Sequence, residues 1–131
     1  MVRSLRSLLI CDNITINAVA PGATVTKFLP AHLLEAVKAI GAPISSAHSA
    51  ARALVYSATA MELRRVEDYG KDKVEEREGE RRWNGRVIVV LGDKYTEVEE
   101  LYANSRSIWL GEQNAELFRS QQAATDGRQI V

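Results

Sequence analysis

The sequence is poor in several features that would assign a protein to a broad class. Cys11 is the single cysteine, so no internal disulfide can form, and we expect a reducing, cytoplasmic location. The longest uninterrupted aliphatic run is Val87–Leu91, which is far too short to cross a bilayer. The charges of the 17 basic and 17 acidic residues cancel, so the chain has no net positive charge that would attract nucleic acid or anionic lipid. We therefore expect neither a nucleic-acid partner nor a membrane partner.

The apolar pattern of the remaining sequence predicts an α/β fold. The predicted elements, in chain order, are a helix over 2–11, a buried strand over 14–20, a helix over 27–41, a helix that begins at a Ser45 or Ser46 cap, a buried strand over 86–91 and a helix over 111–125. Arg3 and Arg6 lie off the apolar face of the first helix. A right-handed crossover would make the two strands parallel neighbours in one sheet, with the helices packed on it.

Three further stretches have a distinct composition. A stripe of small and medium side chains predicts the sheet-facing side of the third helix: Ala47, Ala50, Ala51, Leu54, Val55 and Ala58. In residues 61–82, 15 of 22 residues are charged, which predicts a solvated helix extension and loop. Asn84 and Gly85 form a turn signal. Residues 94–131 are interpreted as a C-terminal extension that follows a domain of residues 1–93.

The informative motif runs from Ile14 to Thr26 and reads Ile-Thr-Ile-Asn-Ala-Val-Ala-Pro-Gly-Ala-Thr-Val-Thr. It resembles the strand-to-loop segment of short-chain dehydrogenases/reductases, in which an apolar strand with an internal Asn runs into Pro-Gly and a Thr follows four residues after the Gly. Residues 2–9 resemble the back half of that family's long helix, and residues 85–93 resemble its final core strand. The order and spacing of all three blocks agree, and the wider stretch is similar to uncharacterised fungal members.

The resemblance implies the C-terminal part of a Rossmann-type doubly wound parallel sheet, with about two strands and their packed helices. It also implies a nicotinamide cofactor, NAD or NADP, contacted by the loop after the first strand. The cofactor-binding residues carried over are Pro21, Gly22, Ala23, Thr24 and Thr26. Independently, proline holds such a turn, and a glycine without a Cβ lets backbone approach a flat ring.

The family's catalytic Ser, Tyr and Lys and its Gly-rich phosphate loop have no counterpart in this sequence, so no catalytic residue is assigned. Tyr69 and Lys73 have the Tyr-x-x-x-Lys spacing, but they follow the Pro-Gly loop and lie in a charged run, so we interpret them as solvated surface. His32 and His48 are isolated, and no spacing indicates a metal site.

Two functions remain open. The chain is either an inactive portion of an NAD(P)-dependent oxidoreductase of small alcohols or carbonyls, arising from a truncated gene model or a decayed copy, or a non-catalytic module. The module would be an interaction protein or a split half that pairs with an N-terminal partner. An upstream in-frame Tyr-x-x-x-Lys would favour the enzyme.

The two strand patterns predict poor stability for the isolated chain, because two apolar parallel strands leave an open edge. We expect the pure protein to be marginally stable or to self-associate. Thermal unfolding measures its stability, and analytical ultracentrifugation measures its self-association. A soluble monomer with a sharp cooperative thermal transition would contradict this expectation.

Overall fold

The computed structural model describes residues 1–66 and 77–125. Its helices are α1 (Val2–Leu9), α2 (Ala31–Ala39), α3 (Ala47–Thr59), α4 (Glu99–Asn104), α5 (Arg106–Leu110) and α6 (Glu112–Ala124), and a 3-10 turn (Ile10–Asp12) follows α1. Its strands are β1 (Ala18–Pro21), β2 (Thr24–Val25), β3 (Ser45–Ser46), β4 (Met61–Arg64), β5 (Glu78–Arg82), β6 (Val87–Leu91) and β7 (Lys94–Glu97). The predicted α/β class is confirmed.

Strands β1 and β6 are parallel neighbours, with Pro21 opposite Val90, as the crossover argument predicts. A third strand, β7, pairs antiparallel with the other side of β6, so the sheet is mixed and has the order β1-β6-β7. The sequence interpretation missed β7. Gly92 and Asp93 between the two strands have positive φ values of 56° and 61°, which suit a two-residue hairpin turn.

Ser46 is the N-cap of helix α3: its hydroxyl accepts a hydrogen bond from the Ser49 N–H at 3.1 Å, so one of the two predicted caps is confirmed. The predicted sheet-facing stripe is wrong. The buried positions of α3 are Ser49, Ala53 and Ser57. Leu54 and Val55, which belong to the predicted stripe, are 57% and 65% exposed. Serine and alanine let the helix approach the strands closely, and the larger side chains consequently point away from them.

Among the described residues, the central cluster of the hydrophobic core lies between α3 and β6. It consists of Ala53, Ile88 and Val90, with Val19 and Trp83 packed against them. Along β6 the buried Ile88 and Val90 alternate with half-buried residues, and Leu91 is 46% exposed. This alternation is typical of a strand that is well covered on one face, so the predicted burial of both strand faces is wrong for the described residues.

The first helix is confirmed, but its buried face differs from the prediction. Arg6, expected off the apolar face, is 3% exposed, whereas Leu8 is 40% exposed. Gly85 has a φ of +79°, and a Cβ at this position would collide with the Arg6 side chain. The buried amide of Asn84 donates to the Arg6 carbonyl at 3.0 Å and accepts from the Ile16 N–H at 3.1 Å. The predicted Asn-Gly turn therefore holds α1 against the sheet.

The described parts of the charged segment, residues 61–66 and 77–82, contain strands where a helix extension and loop were predicted. Helix α3 ends at Thr59, and β4 then pairs antiparallel with β5, with Glu62 opposite Arg81. Glu62 is 6% exposed because its carboxylate reaches Arg86 inside the protein. This buried ion pair explains why the segment is not a purely solvated surface. Tyr69 and Lys73 lie outside the described residues.

Asn17, the asparagine inside the predicted strand, joins three segments at the amino end of the sheet. Its Nδ2 donates to the carbonyl oxygens of Ser57 at 2.8 Å and Trp83 at 3.1 Å. Its Oδ1 accepts from the Arg86 N–H at 3.0 Å. One side-chain amide thereby connects the entrance of β1 with the end of α3 and the entrance of β6.

The Arg86 guanidinium connects β6 with β4, β7 and α4. Nε lies 2.8 Å from Glu62 Oε2, and Nη1 lies 3.3 Å from Glu97 Oε2 and 3.2 Å from Glu100 Oε2. Nη2 donates to the Arg64 carbonyl at 3.1 Å. Burial raises the pKa of Glu62 above its ordinary value, although hydrogen bonding and attraction from Arg86 act in the opposite direction.

Helix α4 contacts the beginning of the chain. Arg3 makes a bidentate ion pair with the buried Glu99, with distances of 2.7 and 3.0 Å, and its guanidinium lies 4.0 Å from the Tyr102 ring centroid.

Helix α6 confirms the helix predicted over 111–125. Across residues 1–66 and 77–125, no helix has both the length and the apolar character needed to span a bilayer.

The Arg86 ion pairs generate a stability prediction. We expect Arg86→Ala to lower the free energy of unfolding by about 3–5 kcal/mol, because it leaves the buried carboxylate of Glu62 without its partner. Glu62→Gln is expected to cost about 1–2 kcal/mol, because it removes the buried charge and leaves Arg86 paired with Glu97 and Glu100. Urea unfolding followed by circular dichroism measures both changes.

Arg64→Ala is the matched control, because the Arg64 side chain is 64% exposed and only its backbone carbonyl contacts Arg86. We expect this variant to lose less than about 1 kcal/mol. Equal losses in Arg64→Ala and Arg86→Ala would contradict the assigned role of the buried ion pair.

Candidate functional site

The candidate loop, residues 21–26, lies at the carboxyl end of β1. Pro21 is the last residue of the strand, and the Gly22 N–H extends the ladder by donating to the Val90 carbonyl at 2.9 Å. Strand β6 ends at Leu91, one residue after Val90. In open α/β sheets, ligands bind in the crevice outside the carboxyl ends of parallel strands. The structure therefore places all five predicted cofactor-binding residues at the edge where a ligand is expected.

Gly22 is closely packed against the neighbouring strand. A Cβ built at this position would lie 2.5 Å from Leu91 Cδ2. The Leu91 side chain thus occupies the direction in which a Cβ of Gly22 would point, while Gly22 itself is partly exposed. Leu91 is 46% exposed, so a change of rotamer toward solvent could open this space without disturbing the core.

Ala23 and Thr24 use their polar groups to shape the loop. The Thr24 hydroxyl donates to the Gly22 carbonyl at 2.9 Å. The Ala23 carbonyl accepts from the Ser45 N–H at 2.8 Å, and β2 pairs in parallel with β3 directly after this bond. These contacts fix the loop backbone beside Ser45, whose side chain is fully buried.

Thr26 has the hydroxyl best suited to a ligand. It is exposed, and its Oγ1 accepts from the Phe28 N–H at 3.3 Å. A hydroxyl that accepts in this way still has its own O–H to donate. The loop therefore fits a nicotinamide ring in part: Thr26 offers a hydrogen-bond donor, and Leu91 packs against Gly22 on the side where a Cβ would point.

Asp93 supports this edge from the turn between β6 and β7. Its Oδ1 accepts from the Ser46 N–H at 2.7 Å and from the Ser46 hydroxyl at 3.1 Å. The Ser46 backbone N–H, followed by the Ser49 hydroxyl, lowers the pKa of the Asp93 carboxyl, and attraction to His48 acts in the same direction. The charged carboxylate is therefore the form that this edge favours.

The cavities described by the structure lie away from the candidate loop. An apolar cavity of about 810 Å³ runs between α3 and the β6–β7 face, and its aromatic lining is Tyr56, Trp83 and Tyr95. A polar cavity of about 410 Å³ lies beside β4 and α4 and is lined by four arginines: Arg64, Arg65, Arg77 and Arg119. Neither cavity is lined by any of the five predicted residues.

The two histidines lie on different helices, His32 on α2 and His48 on α3. His48 lines the apolar cavity. Within residues 1–66 and 77–125, no group of three or more His, Cys, Asp or Glu side chains is arranged to hold a metal ion.

The sequence interpretation missed the contribution of Asp93 to the site. It treated Gly92 and Asp93 only as the end of a strand, and it considered Ser45 and Ser46 only as helix caps. Successive Gly-Asp residues after an apolar strand are a hairpin signal, and this signal could have placed Asp93 in a turn. The contact of Asp93 with Ser46 spans 47 positions of the chain, so no local pattern could have indicated it.

The chain is similar along nearly its whole length to curated fungal proteins named short-chain dehydrogenase/reductase. It is 52% identical over 128 residues to one from Stachybotrys chlorohalonatus, which is 98% of this chain and 40% of the relative. Relatives from Penicillium roqueforti and Penicillium rubens are 50% and 49% identical over 98% of this chain and 38% of each relative. No protein-family model and no solved structure matches the chain.

These relatives confirm the resemblance that the three sequence blocks predict. The chain spans about two fifths of the length of the curated relatives it matches. It is therefore similar to a portion of such proteins, and the loop at the carboxyl end of β1 lies within that portion.

The contacts of Asp93 predict its titration. We expect its carboxyl to have a pKa below that of an ordinary aspartate, and we expect Ser46→Ala to raise the pKa, since the Ser46 hydroxyl donates to the carboxylate at 3.1 Å. A carboxyl with a lowered folded-state pKa adds stability above the unfolded pKa of about 3.9, and this contribution is lost as the pH falls through the folded-state pKa. Carboxyl ¹³C NMR measures the titration, and a pKa at or above the ordinary value would refute the assigned contacts.

Proposed function

We propose that this chain is a C-terminal part of an NAD(P)-dependent short-chain dehydrogenase/reductase, and that the candidate loop is one wall of its nicotinamide pocket. The observation that carries the proposal is sequence similarity: over 98% of the chain, about half of the residues are identical to those of proteins named short-chain dehydrogenase/reductase. The reaction of the longer protein would be hydride transfer between the cofactor and a small alcohol or carbonyl compound.

The described geometry supports this proposal in two respects. The parallel pair of β1 and β6, covered by α3, is compatible with part of a Rossmann-type doubly wound sheet. The candidate loop leaves β1 at the carboxyl edge, where dinucleotides bind in such sheets. We propose that the remaining strands of the sheet belong to the portion of the relatives that this chain does not match.

The proposed roles of the chain's own residues are binding and orientation. The bound nicotinamide would supply or accept the hydride. The Thr26 hydroxyl would donate to the carboxamide or the neighbouring diphosphate, and Ala23 and Thr24 would hold the backbone in position. No described side chain is assigned a proton-transfer role, so we propose that the chain is inactive without the portion of the relatives that it does not match.

A non-catalytic module or split half is the second candidate, and the exposed apolar surface favours it. The cavity wall formed by α3 includes Val55 and Tyr56, which are 65% and 54% exposed. Among the described strands, none pairs with the outer edge of β1. An N-terminal partner could pair with that edge and restore a wider sheet.

Titration with each of the two nucleotide halves of the cofactor, called half-cofactors below, tests the proposed nicotinamide wall. We expect nicotinamide mononucleotide to shift the amide resonances of Ala23, Thr24 and Thr26 in the ¹⁵N-labelled chain, whereas adenosine monophosphate should leave them unchanged. Thr26→Ala should weaken the binding by roughly two- to tenfold, because it removes one neutral hydrogen bond.

Thr59→Ala is the matched control, since the Thr59 hydroxyl bonds to the Val55 carbonyl in α3. Equal shifts with both half-cofactors, or shifts confined to residues outside the loop, would refute the nicotinamide wall.

Coexpression with the unmatched portion of the Stachybotrys relative distinguishes the two candidates. Turnover with NAD or NADP supports the enzyme, and a stable complex without turnover supports the module.

A further inference from the structure

The contacts of Asp93 continue beyond Ser46 and reach the candidate loop. Asp93 Oδ1 holds the Ser46 N–H and hydroxyl, while the Asp93 N–H donates to the Ser45 hydroxyl at 3.4 Å. Both residues of β3 are thereby tied to the turn after β6. The turn itself is closely packed, because a Cβ at Gly92 would lie 3.2 Å from Pro43 Cβ.

Strand β3 in turn holds the loop. The Ser45 N–H donates to the Ala23 carbonyl at 2.8 Å, and the parallel register places Thr24 opposite Ser45 and Val25 opposite Ser46. A two-residue parallel pair is too short to be stable by itself. Its position therefore depends on the groups that fix β3 from the other side, and Asp93 is the charged group among them.

We propose that Asp93 is a positioning residue that holds residues 23–25 of the candidate loop in place through Ser45 and Ser46. This proposal deepens the proposed function, on which its relevance to a nicotinamide pocket rests. Asp93 does not touch the loop directly, and it acts by fixing β3, which carries the loop's hydrogen-bond partner.

The chemistry of the contact requires a carboxylate or a close substitute. Two donors of Ser46 converge on one oxygen of Asp93, and hydrogen bonds to a charged acceptor are stronger than those between neutral groups. Asparagine keeps an oxygen acceptor of the same shape and tolerates the φ of +61°, whereas alanine removes the acceptor. Asn and Ala variants therefore separate loss of charge from loss of the contact.

Amide hydrogen exchange on the full chain tests the proposal. The reporter is the Ser45 N–H, which donates to Ala23, and the reference is the Gly22 N–H, which donates to Val90 within the main sheet. We expect Asp93→Ala to reduce the protection factor of Ser45 by roughly tenfold or more while that of Gly22 is retained. Asp93→Asn should restore part of the Ser45 protection. Asp12→Ala, at an exposed aspartate in the 3-10 turn, is the matched control and should leave both amides unchanged.

Unchanged Ser45 protection in Asp93→Ala would overturn the proposal. Equal losses at Ser45 and Gly22 would also overturn it, because Asp93 would then stabilise the whole sheet and not the loop. Nicotinamide mononucleotide binding separates this result from the proposed function. If the native chain fails to bind the probe but Ser45 responds as expected, the proposed function fails and the positioning role stands.

Discussion

The buried guanidinium of Arg86 connects several elements of the fold through ion pairs. Among the described residues, the apolar cluster between α3 and β6 consists of Ala53, Ile88 and Val90, and none of these belongs to β4, β7 or α4. Arg86 reaches all three through Glu62, Glu97 and Glu100, and its backbone N–H is held by Asn17. A buried arginine is tolerated only when its donors are satisfied, and these partners satisfy them in a fixed geometry.

The polar contacts at the two ends of the sheet have different consequences. At the amino end, Asn17 and Arg86 fix the positions from which β1 and β6 begin. At the carboxyl end, Asp93 ties β3 to the turn after β6, and β3 pairs with the candidate loop. A loop supported by rigid strands on one side and by a charged contact on the other is preorganised, which is the property that a cofactor-binding wall needs.

The chain matches about two fifths of its relatives' length, which agrees with a candidate site that forms one wall of a pocket. The candidate loop offers the exposed Thr26 hydroxyl and a backbone held by Ser45, and no described residue is assigned a proton-transfer role. The Leu91 side chain packs against Gly22 on the side where a Cβ would point. A pocket wall of this kind orients a ring and does not transform it, which agrees with a proposed activity that depends on the unmatched portion.

The amino-acid sequence by itself determined the α/β class, the parallel relation of β1 and β6, a serine cap at position 45 or 46, and the position of residues 21–26 at a strand end. These features depend on local patterns, namely apolar runs, turn residues and the handedness of crossovers. Only the tertiary structure decided that Ser49, Ala53 and Ser57 face the sheet, that Glu62 is buried, and that Asp93 meets Ser46. Helical periodicity groups residues on a face, but the neighbouring element decides which face can approach most closely. Whether a charged residue is solvated or buried depends in the same way on a partner far along the chain, and for Glu62 that partner is Arg86.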